Sequence, residues 1–271
     1  MKQSCDTYFY EVARKLGVDR LKVTADKFGL GNKVLGEYFE NEKAGQFPDT
    51  KWKINKLGKG WVLGETLITG IGQGYTQTTP IQLCLMTAQI ANGGYKIDPR
   101  IILDEGEKNK FQDLNQFIED KKMFSDDVVT LYEFIAKFKY KSLFKNPENI
   151  KFVQDALFGA TNEPGGTSYG SRLTKKEFIF AGKTGTSQVK RFTERQRELE
   201  VKNEDLPYED RDHALFVAFA PYNDPRYSIS VVVEHGGSGS KSAAPIAKKV
   251  IKKVLEKHSL RDSKRGQGKT V

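Results

Sequence analysis

Residues 181–187 read Ala-Gly-Lys-Thr-Gly-Thr-Ser, and the interpretation of the whole chain depends on this stretch. The apolar run 178–180 precedes it and predicts a buried strand that continues into the glycines. Glycine in a strand lets another molecule approach the backbone closely. Because Lys183 and Thr184 add a positive charge and a hydroxyl, this strand edge suits an extended peptide that ends in a carboxylate. The alternative is an ordinary lysine in a hairpin, since a motif this short also matches by chance.

Composition and charge exclude several classes of protein. Hydrophobic residues make up 38% of the 271 residues and charged residues 29%, which is typical of a globular fold. The net charge of +9 comes mainly from lysines spread along the chain, and a cluster appears only at 248–269, so we do not expect nucleic-acid binding. Cys5 and Cys84 offer neither a disulfide framework nor metal-ligand spacing, and we predict no metal and no cofactor.

The first third of the chain is predicted to be mainly helical. An amphipathic helix occupies the first 16 residues, with Ser4 or Asp6 as its cap, and a second helix runs over 19–28 with Asp19 as its cap. Residues 29–63 are rich in glycine, lysine and asparagine and predict a long ordered loop. Thr79 followed by Pro80 predicts the start of a core helix that reaches Ala91.

The remainder predicts an antiparallel sheet between helices. A hairpin is expected over 95–103, and helices over 125–138 and 148–158. Strands are expected over 213–220 and 227–234. A closing helix starts at Pro245. Its predicted sheet-facing residues are Ile246, Val250, Val254 and Leu255. Residues 258–271 predict a basic, disordered tail, so that a domain covers 1–257.

Four segments in order resemble the penicillin-binding transpeptidases, and among them most closely the class B enzymes of rod-shaped bacteria. The segments are Ser4-Cys5-Asp6, the Gly-Ile-Gly-Gln-Gly-Tyr loop 70–75, Asn-Glu-Pro-Gly-Gly-Thr at 162–167, and Lys183-Thr184-Gly185-Thr186. The resemblance covers most of residues 3–257. It implies the two-lobed α+β fold of this family and of the serine β-lactamases, with an antiparallel sheet flanked by helices.

The resemblance also implies an activity and a set of roles. The activity is D,D-transpeptidation of peptidoglycan stem peptides through an acyl-serine, inhibited by β-lactams. Ser4 is expected to relay a proton, and Lys183 and Thr184 to bind the terminal carboxylate of D-Ala-D-Ala or of a β-lactam, with Gly185 and Thr186 also binding substrate. The backbone N–H of Thr186 is expected to supply half of an oxyanion hole.

Asp6 departs from the asparagine that is commonest in this family. An ionised carboxylate accepts hydrogen bonds but cannot donate them, so a contact with a substrate carbonyl is not expected. Pairing with a cation such as Lys183 is the alternative hypothesis. Plain helix capping by Ser4 and Asp6 remains a third interpretation, and it is compatible with catalysis.

The family's nucleophile motif, Ser-x-x-Lys, is expected some tens of residues before Ser4, and hence outside this sequence. The pattern occurs at Ser142–Lys145, Ser187–Lys190 and Ser238–Lys241. All three follow the second motif, whereas the family order places the nucleophile first. We therefore expect the N-terminal part of the domain to be missing and the isolated chain to be inert towards β-lactams, since no acyl-enzyme forms without a nucleophile.

Two other functions stay open at this point. One is a β-lactamase or D,D-carboxypeptidase, although no residue here is identified as a deacylating base. The other is a non-catalytic relic or binding module that keeps the fold and holds a ligand or partner. By resemblance, the complete protein would work at the periplasmic face of the inner membrane with cell-elongation proteins. The sequence itself contains no apolar run long enough for a membrane anchor and no signal peptide, so membrane attachment is expected only through the missing segment.

Overall fold

A three-stranded antiparallel sheet forms the centre of the computed structural model, which describes residues 1–36, 39–101, 141–190, 198–199 and 201–267. Strands β1 (Ala181–Ser187), β2 (His213–Ala220) and β3 (Tyr227–Val233) lie in the order β1-β2-β3. In the register, Lys183 lies opposite Val217, and Phe216 opposite Val231. The strands β2 and β3 were predicted to within one residue, because both faces of β2 are apolar and a short turn joins the pair.

The buried strand predicted over 178–180 is wrong. A 3-10 turn, Lys176–Phe178, occupies its first position, and β1 begins at Ala181. The backbone carbonyls that follow are satisfied from outside a sheet: Tyr222 N–H donates to Ile179 O at 2.8 Å, and Asn162 Nδ2 donates to Phe180 O at 2.8 Å. The run is apolar because Phe180 is fully buried against Phe216, not because it pairs as a strand.

Helices α1 (Asp6–Leu16) and α2 (Val18–Lys27) have the predicted positions but not the predicted caps. Cys5 is the N-cap of α1, without a side-chain capping bond, and Ser4 has a left-handed φ of 54°. Neither Ser4 nor Asp6 caps the helix, which removes the plain capping interpretation. Asp19 lies inside α2, and its carboxylate instead accepts hydrogen bonds from the backbone and hydroxyl of Thr50.

The long loop predicted over 29–63 contains a helix and leads directly into another. Helix α3 (Thr50–Leu57) begins at Asp49, whose Oδ1 accepts the N–H of Trp52 at 2.6 Å, and α4 (Leu63–Gly70) follows. Both helices are short and contain glycine or charged residues, so their periodicity is weak. Helix α5 (Pro80–Ala91) has the predicted bounds, and its first turn is closed by a reciprocal pair of hydrogen bonds between Thr79 and Gln82.

Two further helices pack on opposite faces of the sheet. Helix α6 (Glu148–Asn162) runs four residues beyond its predicted end at 158 and contacts β1. Helix α7 (Ala244–Gln267) follows a π-helical turn, Gly239–Ala243, and packs on β2 and β3. The structure therefore has the predicted α+β class, with helices on both sides of an antiparallel sheet.

The buried face of α7 differs from the predicted one except at Leu255, which is buried as predicted. It consists of Ala244, Ala247, Ile251 and Leu255, whereas Ile246 and Val250 are 44% and 43% exposed. Small alanines let the helix approach the sheet, and their weak hydropathy hid this face in the sequence. Residues 258–267 belong to this helix, where the sequence predicted a disordered tail; the Tyr227 hydroxyl meets His258 Nδ1 at 2.5 Å.

Three other expectations concern the segments around the sheet. Of the hairpin expected over 95–103, the structure describes residues 95–101, which form no strand pair with one another; Tyr95 instead makes an isolated antiparallel bridge with Ser142. The helix predicted over 125–138 lies outside the described residues. Within the described part of the chain, the helices are too short or too polar to cross a membrane.

Candidate active site

The first and last sequence motifs meet at the outer edge of β1. Lys183 Nζ donates to Ser4 Oγ at 2.9 Å, although 179 positions separate the two residues in the sequence. The same ammonium donates to the carbonyl oxygen of Thr184 at 2.8 Å. A cation, a serine hydroxyl and an open strand edge therefore form one cluster.

Ser4 is held there by the segment that precedes α1. Its N–H donates to Met1 O at 3.2 Å, which gives the left-handed turn at Ser4. Lys2 fastens the segment to the loop after α6, because its carbonyl accepts Thr167 N–H at 3.2 Å and its ammonium pairs with Glu163 at 2.7 Å. The strained backbone at Ser4 thus directs the hydroxyl to Lys183 and not to the first turn of α1.

The environment of Lys183 weakens its hold on its proton. Partial burial lowers the pKa of Lys183 below the ordinary lysine value of 10.5, and the negative charge of Asp6 opposes this effect. The ion pairs of the described residues do not include a contact between Asp6 and Lys183. The hypothesis of a direct Asp6–Lys183 pair is therefore not realised, and Asp6 acts on the lysine at longer range.

Thr184 is oriented by a residue to which the sequence assigned no role. Its Oγ1 donates to Thr167 Oγ1 at 3.1 Å. Thr167 ends the loop 163–167, where Gly165 has a φ of 80° and a side chain on Gly166 would collide with the carbonyl of Ala160. The signal was present, since this loop belongs to the motifs that carried the resemblance. Its hydroxyl could be assigned only once the fold placed it beside β1.

At every second residue of β1 the backbone carbonyl points away from β2, towards the open edge of the sheet. The outward carbonyl of Gly182 accepts Thr161 Oγ1 at 3.3 Å, that of Thr184 accepts Lys183, and that of Thr186 accepts Gln73 Nε2 at 2.8 Å. Gly182 itself is closely packed, because a Cβ there would lie 2.6 Å from Val217 O. The edge next to Lys183 is thus kept in place by side chains from three different elements.

Beyond Thr186 this edge opens into a polar cleft. The cleft has a volume of about 710 Å³, and its lining includes Thr186, Arg211, His235 and Lys241. Arg211 belongs to the segment that follows β1, and His235 and Lys241 belong to the segment that follows β3. An extended ligand lying along β1 would therefore find open space where it leaves the strand.

The three Ser-x-x-Lys patterns lie apart from this cluster. Ser142 Oγ donates to Phe144 O at 2.7 Å. Lys190 pairs with Asp210 at 2.6 Å, and Lys241 with Glu204 at 2.5 Å. Ser238 Oγ meets the hydroxyl of Ser240 at 2.9 Å. In the second and third patterns the lysine is thus paired with a carboxylate and not with its own serine.

In the part of the chain that the structure describes, histidine, cysteine, aspartate and glutamate side chains form no cluster that could hold a metal ion.

Comparison with known proteins places this geometry in context. A family model described as the penicillin-binding protein transpeptidase domain matches residues 1–252. The peptidoglycan D,D-transpeptidase MrdA of Salmonella typhimurium is 32% identical over 258 residues, covering 94% of this chain and 37% of that protein. MrdA of Escherichia coli K12 is 29% identical over 263 residues, covering 97% of this chain and 37% of the relative.

Solved structures of penicillin-binding protein 2 are also similar to this chain. Penicillin-binding protein 2 of Helicobacter pylori, in its complex with MreC, superposes with a TM-score of 0.71 at 28% identity, over 94% of this chain and 39% of that one. Penicillin-binding protein 2 of Pseudomonas aeruginosa, in complex with WCK 5153, has a TM-score of 0.65 at 35% identity, over 91% of this chain and 46% of that one. The chain thus spans less than half the length of each of these relatives.

Proposed function

Because the chain belongs to the penicillin-binding protein transpeptidase domain family, we propose that it forms the substrate-binding half of a peptidoglycan D,D-transpeptidase. The ligand would be a stem peptide that ends in D-Ala-D-Ala, or a β-lactam that occupies the same site. The observation that carries the proposal is the 2.9 Å contact between Lys183 Nζ and Ser4 Oγ at the open edge of β1.

In this proposal the ligand binds by its carboxylate. The Lys183 ammonium donates to the carboxylate. The Thr184 hydroxyl, which donates to Thr167 Oγ1 in this structure, would turn its proton to the carboxylate when the ligand binds, and Thr167 would then donate to Thr184 Oγ1. Gly185 has no side chain, so the ligand backbone can lie close to the strand. The ligand then continues along β1 as an added strand, and its next carbonyl accepts the backbone N–H of Thr186. That N–H would be one donor of the oxyanion hole, a contribution of about 3 kcal/mol in other acyl-transfer enzymes.

Ser4 and Lys183 would move the proton during acyl transfer. Burial lowers the pKa of Lys183, so the lysine exchanges a proton with Ser4 more readily than an exposed lysine would. Asp6 contributes through its charge, which keeps Lys183 protonated until the ligand arrives. An Asp6→Asn variant should therefore lower the pKa of Lys183 further.

The attacking serine is proposed to lie outside these 271 residues. The lysines of two of the internal Ser-x-x-Lys patterns are paired with carboxylates, and Ser142 donates to a backbone carbonyl. The chain would bind the peptide without forming an acyl-enzyme. We further propose that the complete protein works at the periplasmic face of the inner membrane with cell-elongation proteins, since a structural relative was solved in complex with MreC.

Two measurements on the chain test this proposal. Titration with diacetyl-L-Lys-D-Ala-D-Ala should show binding, and Lys183→Met should weaken it at least about tenfold, because a charge-assisted hydrogen bond is lost. Incubation with a fluorescent penicillin should leave no covalent label. Peptide binding that is indifferent to Lys183 would contradict the site, and a stable penicillin adduct would show that a serine of this chain is the nucleophile.

A further inference from the structure

The side chain of Gln73 occupies the peptide-binding edge of β1. Its Nε2 donates to the carbonyl oxygen of Thr186 at 2.8 Å, and 113 positions separate the two residues. This carbonyl lies on the outward side of β1, as those of Gly182 and Thr184 do. The glutamine therefore bridges the loop between α4 and α5 to the strand that would bind the ligand.

The geometry of an antiparallel pair shows what this contact displaces. In a hydrogen-bonded pair, two opposing residues exchange both of their backbone bonds. If a ligand residue places its carbonyl on the N–H of Thr186, the N–H of that same residue must reach the carbonyl of Thr186. Gln73 Nε2 already occupies that acceptor. A carbonyl oxygen can accept two hydrogen bonds, but the Gln73 amide reaches this one from the outer edge of β1, where the ligand backbone would lie, so the amide and a full-length ligand compete for the same space.

The loop is built so that the side chain can leave while the backbone stays. Gly72 and Gly74 flank Gln73 with φ angles of 79° and 77°, and Gln73 N–H donates to Ile68 O at 2.9 Å. Gly74 is tightly seated, because a Cβ there would lie 2.9 Å from Ile68 Cδ1. With the backbone fixed in this way, release of Thr186 requires only a rotation of the glutamine side chain, which is fast at an exposed position.

We propose that the Gln73 amide holds the place of the ligand backbone at Thr186 and is displaced by ligands that extend beyond their first carbonyl. This proposal rests on the proposed function, since it assumes that a peptide binds along β1. The empty strand edge is thereby kept satisfied and in register. A shorter ligand, which ends before the second N–H, leaves Gln73 in place.

The test compares two ligands on three forms of the 271-residue chain. The long ligand is diacetyl-L-Lys-D-Ala-D-Ala, and the short ligand is N-acetyl-D-alanine, which has the carboxylate and one carbonyl but ends before the N–H in question. The forms are the wild type, Gln73→Ala, and Gln77→Ala as the control. Gln77 is an exposed glutamine of the same loop.

Removal of the glutamine should favour the long ligand alone. Gln73→Ala should tighten its binding about twofold to tenfold, since the ligand no longer displaces an internal hydrogen bond. Binding of N-acetyl-D-alanine should change less than twofold, and Gln77→Ala should leave both ligands unaffected. In the wild type, the side-chain amide resonance of Gln73 should shift on binding of the long ligand and stay unchanged with the short one.

Three results would overturn the proposal. If Gln73→Ala weakens binding of the long ligand, the glutamine stabilises the bound state and is not displaced by the ligand. If Gln73→Ala leaves the affinity for the long ligand unchanged, the Gln73 resonance does not shift on binding, and binding still depends on Lys183, then the proposed displacement of Gln73 is wrong but the proposed function stands. If neither ligand binds in a Lys183-dependent way, the proposed function fails, and the placeholder fails with it.

Discussion

Replacement of Lys53 by methionine should destabilise the fold by about 3 kcal/mol, because the Glu65 carboxylate, whose side chain is only 15% exposed, loses its counter-charge. Lys53 is 5% exposed, and its Nζ donates to Glu65 Oε2 at 2.6 Å and to Gly60 O at 2.8 Å. The pair joins α3 to α4, and the Tyr75 hydroxyl also reaches Glu65 at 3.4 Å. Through Tyr75 the pair is therefore connected to the loop that contains Gln73.

The matched control removes both charges at once. A Lys53→Met/Glu65→Leu double variant should recover most of the loss, since apolar replacement of a whole buried pair is often neutral or stabilising by about 1 to 4 kcal/mol. The recovery should be incomplete by about 1 kcal/mol, because Glu65 also accepts the N–H of Val62 at 3.0 Å. The difference between the single and double variants isolates the cost of the unpaired carboxylate.

The stability of the wild type and that of Lys53→Met should respond to acidification in opposite directions, because the pKa of Glu65 is shifted in opposite directions in the two forms. Burial raises the pKa of Glu65, but the hydrogen bonds from Lys53 and from Val62 N–H outweigh it, and the net pKa lies below the ordinary value of 4.5. In the wild type this carboxylate therefore stabilises the fold above pH 4.5, and the contribution is lost as the pH falls through the lowered value. In Lys53→Met burial dominates, the pKa rises, and acidification relieves part of the destabilisation.

The assay is urea unfolding followed by far-UV circular dichroism at pH 7 and at pH 5, with the three forms side by side. A loss of under 1 kcal/mol in the single variant would refute the reasoning, and so would a double variant as unstable as the single one. If the single variant does not fold at all, the double variant still decides the question, because its recovery depends only on removing the second charge.

Three further predictions concern the site. Gly182→Ala should lower the free energy of unfolding by about 1 to 3 kcal/mol, because the new Cβ would lie 2.6 Å from both Phe216 Cζ and Val217 O. The control is Gly64→Ala, at a helical position where a Cβ meets nothing within 4 Å; it should be neutral or stabilising in the same unfolding assay. Thr167→Val should weaken the tripeptide about twofold to tenfold through loss of the bond to Thr184, and Thr167→Ser should restore it in a titration. Tripeptide affinity should fall as the pH rises through the lowered pKa of Lys183, below pH 10.5. Lys183→Arg should move this loss of affinity to higher pH. If the loss occurs at the same pH in Lys183→Arg, another group is responsible for it.

Where a strong local signal existed, the sequence predicted the fold well. Thr79 and Pro80 give α5 its start because the cap and the first helical position are chemically specific. The run over 213–220 gives β2 because both of its faces are apolar. The resemblance added the α+β class, which single-segment patterns could not supply.

The errors arise where tertiary contacts override local patterns. Phe180 is apolar because it is fully buried, and its carbonyl accepts a side chain from α6 in place of a neighbouring strand. Helix α7 buries alanines, whose hydropathy is too weak to outrank Ile246 and Val250 in a periodicity argument. Helix α3 is short and charged, so nothing in its periodicity distinguished it from a loop.

In the candidate site, too, some contacts could be predicted from the sequence and others depend on the tertiary fold. Ser4 and Lys183 were predicted to meet because they belong to motifs of one family, and they lie 2.9 Å apart. Thr167 and Gln73 could not be assigned beforehand, since their contacts span 17 and 113 positions and depend on where two loops end. A capping role for Ser4 and Asp6 looked plausible from the sequence, but the left-handed turn at Ser4 turns its hydroxyl towards Lys183 instead.

The most direct measurement of the central claim is calorimetric titration with two tripeptides that differ at one group. Diacetyl-L-Lys-D-Ala-D-Ala and its C-terminal carboxamide are each titrated into the wild type and into Lys183→Met. We expect the wild type to prefer the free acid by at least about tenfold and this preference to disappear in Lys183→Met. Equal affinity of the wild type for the acid and the amide would contradict it.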